Sequence, residues 1–185
     1  QAAQVDLNYL IRHIQPLAQN YGFADEQEIN EITLGLPYEL YNLNYDQVLD
    51  HTSDMATKQV LIPAQQWIFP VLLDGQAKGV AILGDENGTL RFVGYSGSPQ
   101  LAQSLVNFQT QHDQVENTSL MKVLQIPPLE TNFAITQHGE QTDVTLLSEV
   151  APGTERGVLT DLNTSQTYDL NEIMPQIVQE LEEVR

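Results

Sequence analysis

Cysteine is absent from this sequence. Disulfides, thiolate zinc sites and cysteine nucleophiles are therefore excluded together, and the redox compartment is left open. Positive charge is scarce as well: seven Lys and Arg stand against 25 Asp and Glu, a formal charge of −18. Such a field repels phosphate backbones and anionic lipid surfaces over a Debye length of about 10 Å. Nucleic-acid partners are not expected, whereas a basic protein, a cation or a cationic polymer would suit the charge. The plainest consequence of the acidity is solubility. No run approaches the roughly 20 apolar residues of a membrane span, because Pro63, Pro70 and Gly79 interrupt the longest candidates. Membrane insertion is not expected either.

What is present is a strong folding signal. From Val60 to Tyr95, three runs rich in β-branched and aromatic residues are separated by Asp74-Gly75 and Asn87-Gly88. Both dipeptides accept the positive φ angles of two-residue hairpin loops, so the spacing predicts a three-stranded antiparallel meander. Val80 and Ile82 alternate with Ala81 and Leu83, and Leu90 and Phe92 with Thr89 and Arg91, making one face more apolar than the other. A cover follows at once. Ser98 is placed to cap a helix that opens on Pro99, and Leu101, Leu105 and Phe108 recur at helical spacing.

Before the meander, Leu7, Leu10, Ile11, Ile14, Leu17 and Ala18 line one side of a helix over residues 5–21. Pro16 predicts a bend or stop near Gln15, and Gly22 an end. Phe23 to Leu34 reads as a short helix or an edge strand, Leu36 to Asn44 as a strand, Tyr45 to Asp50 as a helical turn and His51 to Lys58 as a loop. After the polar stretch 113–117 the pattern predicts strands at 119–126, 132–137, 142–150 and 157–162. A last helix over 170–184 has Asp169 and Glu172 at capping-box spacing and Ile173, Ile177, Leu181 and Val184 as its buried stripe. Glu180, Glu182 and Glu183 crowd its end, where the helix dipole disfavours them. A shift of 64 residues lays Pro63 on Pro127, Phe69 on Phe133, Val71 on Ile135, Gly75 on Gly139 and Val80 on Val144. An old duplication would leave such matches, and so would two unrelated meanders.

The expected fold is therefore α+β in one compact domain, residues 1–185. Antiparallel meanders carry helices packed on one face, and a duplicated β-β-β-α unit follows an N-terminal helix. Halves 1–112 and 118–185 would be joined by the linker 113–117. The WIFPVLLDG run, residues 67–75, resembles small secreted bacterial domains in which a helix packs on a curved antiparallel sheet. That likeness spans too little of the chain to transfer any site. The start at Gln-Ala-Ala-Gln reads either as a mature end after signal-peptide removal or as a trimmed end; the first leads to the expectation of a secreted or periplasmic protein, with the cytoplasm the other location.

Candidate chemistry is sparse. Gly94-Tyr95-Ser96-Gly97-Ser98 is similar to a nucleophile elbow but has Ser98 where the second glycine belongs, so turn and cap account for it. Asp46, Asp50 and Asp54 would line one helix face with His51 nearby, a spacing that suits a hard cation and equally a solvated acidic face. Asp85-Glu86-Asn87-Gly88 lacks the terminal glutamate of a calcium loop. His13, His51, His112 and His138 form no paired zinc site, and no cofactor is expected. Asn87, Asn117 and Asn163 begin glycosylation tripeptides that matter only on a eukaryotic secretory route. Trp67, Tyr38, Tyr41, Tyr45 and Tyr95 are the candidate recognition residues, since aromatics with a polar tip bury much area at little entropic cost. The reading is a non-catalytic binding or interaction protein, exported from a bacterium, that uses a sheet face or an aromatic groove. Its rival is a carboxylate-dependent hydrolase or divalent-cation-binding protein centred on Asp46, Asp50 and Asp54.

Overall fold

The computed structural model describes residues 7–49, 60–112, 121–139, 141–147, 159, 162–164 and 166–184. Helix α1, Leu7–Ile14, buries Leu10 and Ile14. Pro16 has no amide hydrogen to give the next helical turn, and the chain tightens there into a 3-10 helix over Gln15–Tyr21. Gly22 closes it at φ 79°, with Phe23 N donating to the Ala18 carbonyl at 3.1 Å. The ambiguous stretch that follows is both things expected of it. Helix α2, Glu26–Ile29, is capped by Asp25, whose Oδ1 accepts from Gln27 N at 2.8 Å and Glu28 N at 3.1 Å. Strand β1, Thr33–Leu34, then pairs with β3, Leu61–Leu73. Between them lie β2, Tyr38–Leu43, and helix α3, Tyr45–Leu49.

The meander is as the dipeptides predict. Strands β3, β4 (Gln76–Glu86) and β5 (Thr89–Ser96) are antiparallel neighbours. Their loops hold Asp74 and Gly75 at φ 50° and 76°, and Asn87 and Gly88 at φ 57° and 82°. Positive φ at both loop residues lets a two-residue turn follow the twist of the strands. Helix α4, Pro99–His112, starts under the Ser98 hydroxyl, which accepts from Leu101 N at 3.4 Å, and it buries Leu101, Ala102, Leu105 and Phe108. Strands β6 (Met121–Ile126), β7 (Thr131–His138) and β8 (Gln141–Leu146) form a further antiparallel run. Strand β9, Thr167–Asp169, pairs with β8 and leads directly into helix α5, Leu170–Glu183. The fold class is α+β, with a mostly antiparallel sheet.

The chain divides into two compact units, residues 1–39 with 65–120 and residues 40–64 with 121–185. In the first, Ala81, Val71 and Leu73 pack with Leu10, Ile14, Ala18, Phe23, Ile29 and Ile32 of the N-terminal segment. Val80, next to Ala81 and directed to the other side of the pleat, is buried too. Consecutive buried residues mean that β4 is covered on both faces. Helix α4, which packs along β4, is the expected cover, and the N-terminal segment adds a second.

In the second unit, Leu124, Ile126, Phe133, Ile135, Val144 and Leu146 meet Leu170, Ile173, Met174, Ile177 and Leu181 of α5. Asp169 Oδ1 caps that helix through Asn171 N at 2.8 Å. Pro175 lies inside the helix, in its second turn. Two details correct the sequence reading. Val184 falls beyond the last turn and is 38 % exposed, whereas Glu180 is 3 % exposed and accepts from Leu159 N at 3.2 Å. The strand expected over 157–162 falls largely outside the described residues. Leu159 and Leu162 are joined by a turn hydrogen bond of 3.1 Å, and β9 takes the place beside β8.

The repeat loses its register at the first turn. Ile135 faces Val144 directly, while their counterparts Val71 and Val80 point to opposite faces because Val71 is paired with Gly79. A constant shift of 64 therefore aligns the two hairpins only with a one-residue slip, and such a slip exchanges the faces.

Candidate functional site

The five candidate aromatics are distributed between the units. Tyr38, Trp67 and Tyr95 belong to the first, Tyr41 and Tyr45 to the second. Tyr38 has no exposed surface, and its hydroxyl donates to the Leu105 carbonyl, so it is a strut between β2 and α4. Trp67 is partly buried on β3, opposite Leu83. Tyr95 is wedged edge-on against Tyr21, ring centroids 4.7 Å apart, with Phe23 at 6.3 Å. Its hydroxyl is buried with no hydrogen-bond partner among the described residues. A Cβ on Gly79 would come within 2.4 Å of that oxygen, which is why the position below the ring is glycine. Burial, aided by the neighbouring Tyr21, pushes the Tyr95 phenol up to about 12.

In the second unit Lys122 lies over the Tyr41 ring, 5.3 Å from its centroid, and donates to Gln137 Oε1 at 3.0 Å. Tyr45 packs from α3 against the core of that unit, and burial raises its phenol above the usual range. Its hydroxyl too is buried without a partner among the described residues.

Of the three carboxylates at helical spacing, Asp46 sits exposed in the first turn of α3. Asp50, His51 and Asp54 lie outside the described residues. Among the described residues no group of three or more His, Asp and Glu side chains stands close enough to hold a metal ion. Ser96 closes β5, and Ser98 serves as the helix cap. His13 leans on Phe92 at 5.2 Å, and His112 stacks on Phe108 at 4.1 Å while its Nδ1 bonds the Phe108 carbonyl at 2.8 Å. These histidines are held by packing.

Two surface features of the first unit were not singled out in the sequence. One is a cleft of about 300 Å³ lined by Gln15, Pro16, Gln19, Asn20, Asp25 and Glu26, with Gln15 Nε2 donating to Glu26 Oε2 at 3.3 Å. Its amides come from the polar side of the 3-10 helix and its acids from the α2 cap, a meeting that periodicity along either segment does not announce. The other is the outer edge of β5. This strand stands at the end of the strand order, and among the described residues nothing pairs with its second edge. Val93, on that strand, is 55 % exposed. The β5 residues include no carboxylate and one guanidinium, Arg91, whose Nε reaches Glu86 Oε2 at 2.7 Å.

No helix of the described residues is long and apolar enough to cross a membrane. Compared with known proteins, the chain matches no family model, no curated protein and no solved structure.

Proposed function

We propose that this chain is a non-catalytic binding protein and that its first unit captures an extended, basic segment of a partner along the outer edge of β5. The observation that carries the reading is an eight-residue terminal strand with one edge unpaired among the described residues and an exposed valine in its middle. Such an edge offers a row of amide donors and carbonyl acceptors to an incoming strand. The adjoining strand β4 is covered on both faces at Val80 and Ala81 by helix α4 and the N-terminal segment. The overall charge of −18 favours a basic segment and speeds its encounter. Among the described residues two devices blunt the edge, the charge of Arg91 and the bulge that leaves Val93 of β5 without a partner opposite the Ile82–Leu83 step.

The test is a panel of unstructured peptides in basic, neutral and acidic sets, titrated against wild type and Val93→Lys. Basic peptides bind wild type, and the added lysine weakens them at least about tenfold, the equivalent of 1.4 kcal/mol. Binding by no set, or binding indifferent to Val93→Lys, contradicts the reading.

A further inference from the structure

The tip of the β4–β5 hairpin holds the chain's single Asn-Gly step, Asn87-Gly88. Both residues are exposed, and both sit in the left-handed backbone region. A Cβ on Gly88 would meet nothing within 4 Å, so the peptide unit between them stands open to solvent. One group holds it. The Gly88 amide donates to Asp85 Oδ1 at 2.6 Å, and a carboxylate acceptor makes such a bond stronger than one to a neutral oxygen.

We propose that Asn87-Gly88 is a self-modification site and that Asp85 keeps it closed while the hairpin is intact. The reaction is ring closure followed by hydrolysis. The Gly88 backbone nitrogen loses its proton to solvent base and attacks the Asn87 side-chain carbonyl carbon. A new carbon–nitrogen bond forms, the bond to the side-chain amide nitrogen breaks, and that nitrogen leaves with a proton as ammonia. Water then opens the five-membered imide at either carbonyl, giving aspartate or its backbone-extended isomer. One water enters and one ammonia leaves, with no change of oxidation state.

Three features of the folded tip oppose the first step. The attacking nitrogen has its hydrogen committed to Asp85. A carboxylate beside it disfavours a second negative charge on the amide. The two-residue turn fixes the backbone of Asn87, which must rotate to close the ring. Opening of the tip removes all three. The backbone-extended product then adds an atom to a loop built for two residues, and the Glu86–Thr89 pairing, where β4 ends and β5 begins, is lost.

The experiment incubates the full chain near neutral pH and follows Asn87 by peptide mapping, with the two acidic products separated. Wild type, Asp85→Ala, Asp85→Asn and wild type in urea are compared, and circular dichroism confirms that the variants are folded. Asp85→Ala converts about tenfold faster than folded wild type, the scale of one lost charge-assisted hydrogen bond, and approaches the rate in urea. Asp85→Asn keeps an acceptor but no charge and falls between the two. An Asp85→Ala rate equal to or below that of wild type, an Asp85→Asn rate equal to wild type, or a folded wild type as fast as the chain in urea overturns the proposal.

Discussion

Tyr95 and Glu180 are polar residues in apolar company, and they are handled in opposite ways. The Tyr95 hydroxyl gains no hydrogen bond among the described residues, so removing it forfeits little. Tyr95→Phe is expected to leave stability at neutral pH unchanged or raise it by up to about 1 kcal/mol in urea unfolding. The alkaline limb is the sharper readout. The folded phenol titrates near 12 and the unfolded one near 10. The folded state thus favours the protonated phenol, and its contribution is complete below pH 10 and is lost as pH rises through 12. Melting temperature in wild type should fall over that window, and Tyr95→Phe should flatten the fall; parallel curves would contradict the assignment. Glu180, by contrast, serves as acceptor for the Leu159 amide inside the second unit. Glu180→Ala strands that amide and is expected to cost about 1–3 kcal/mol, with Glu180→Gln recovering part of it through its remaining oxygen.

At the scale of elements, tight hairpins and capped helices carry the fold. Gly79→Ala should be among the most damaging small changes, because the new carbon would lie 2.3 Å from the Ser96 carbonyl and 2.4 Å from the Tyr95 hydroxyl. Forcing it in is expected to cost about 1–3 kcal/mol, and more where the strand pair parts. Leu105→Ala, which removes a fully buried contact between α4 and the sheet, should cost about 2–5 kcal/mol in the same denaturation experiment. These elements were legible because their signals are local. Asp74-Gly75, Asn87-Gly88, the break at Pro16 and the Ser98-Pro99 start each act within a few residues, and each is found where expected. What escaped was non-local. Strand β9 has three residues and no apolar run, and it exists because it pairs with β8. Glu180 looked like one more charge at a helix end, since its partner lies 21 positions away. The β5 edge was invisible for the same reason, as strand order is written in pairings and not in any one strand.

For the whole molecule, the charge of −18 and the two-unit division frame what a ligand meets. The rival metal reading makes its own demand: calorimetric titration with calcium, magnesium, manganese and zinc should give saturable heat that Asp46→Asn abolishes. The binding reading expects no such heat, and its appearance would move the functional centre to α3. The most direct measurement is amide hydrogen exchange along β5 with and without a basic extended peptide. Strand capture predicts slowed exchange at alternate β5 amides, those pointing away from β4, with the rest of the first unit unchanged. Unaltered β5 exchange, with protection appearing instead at the cleft of Gln15, Gln19 and Glu26, would contradict it.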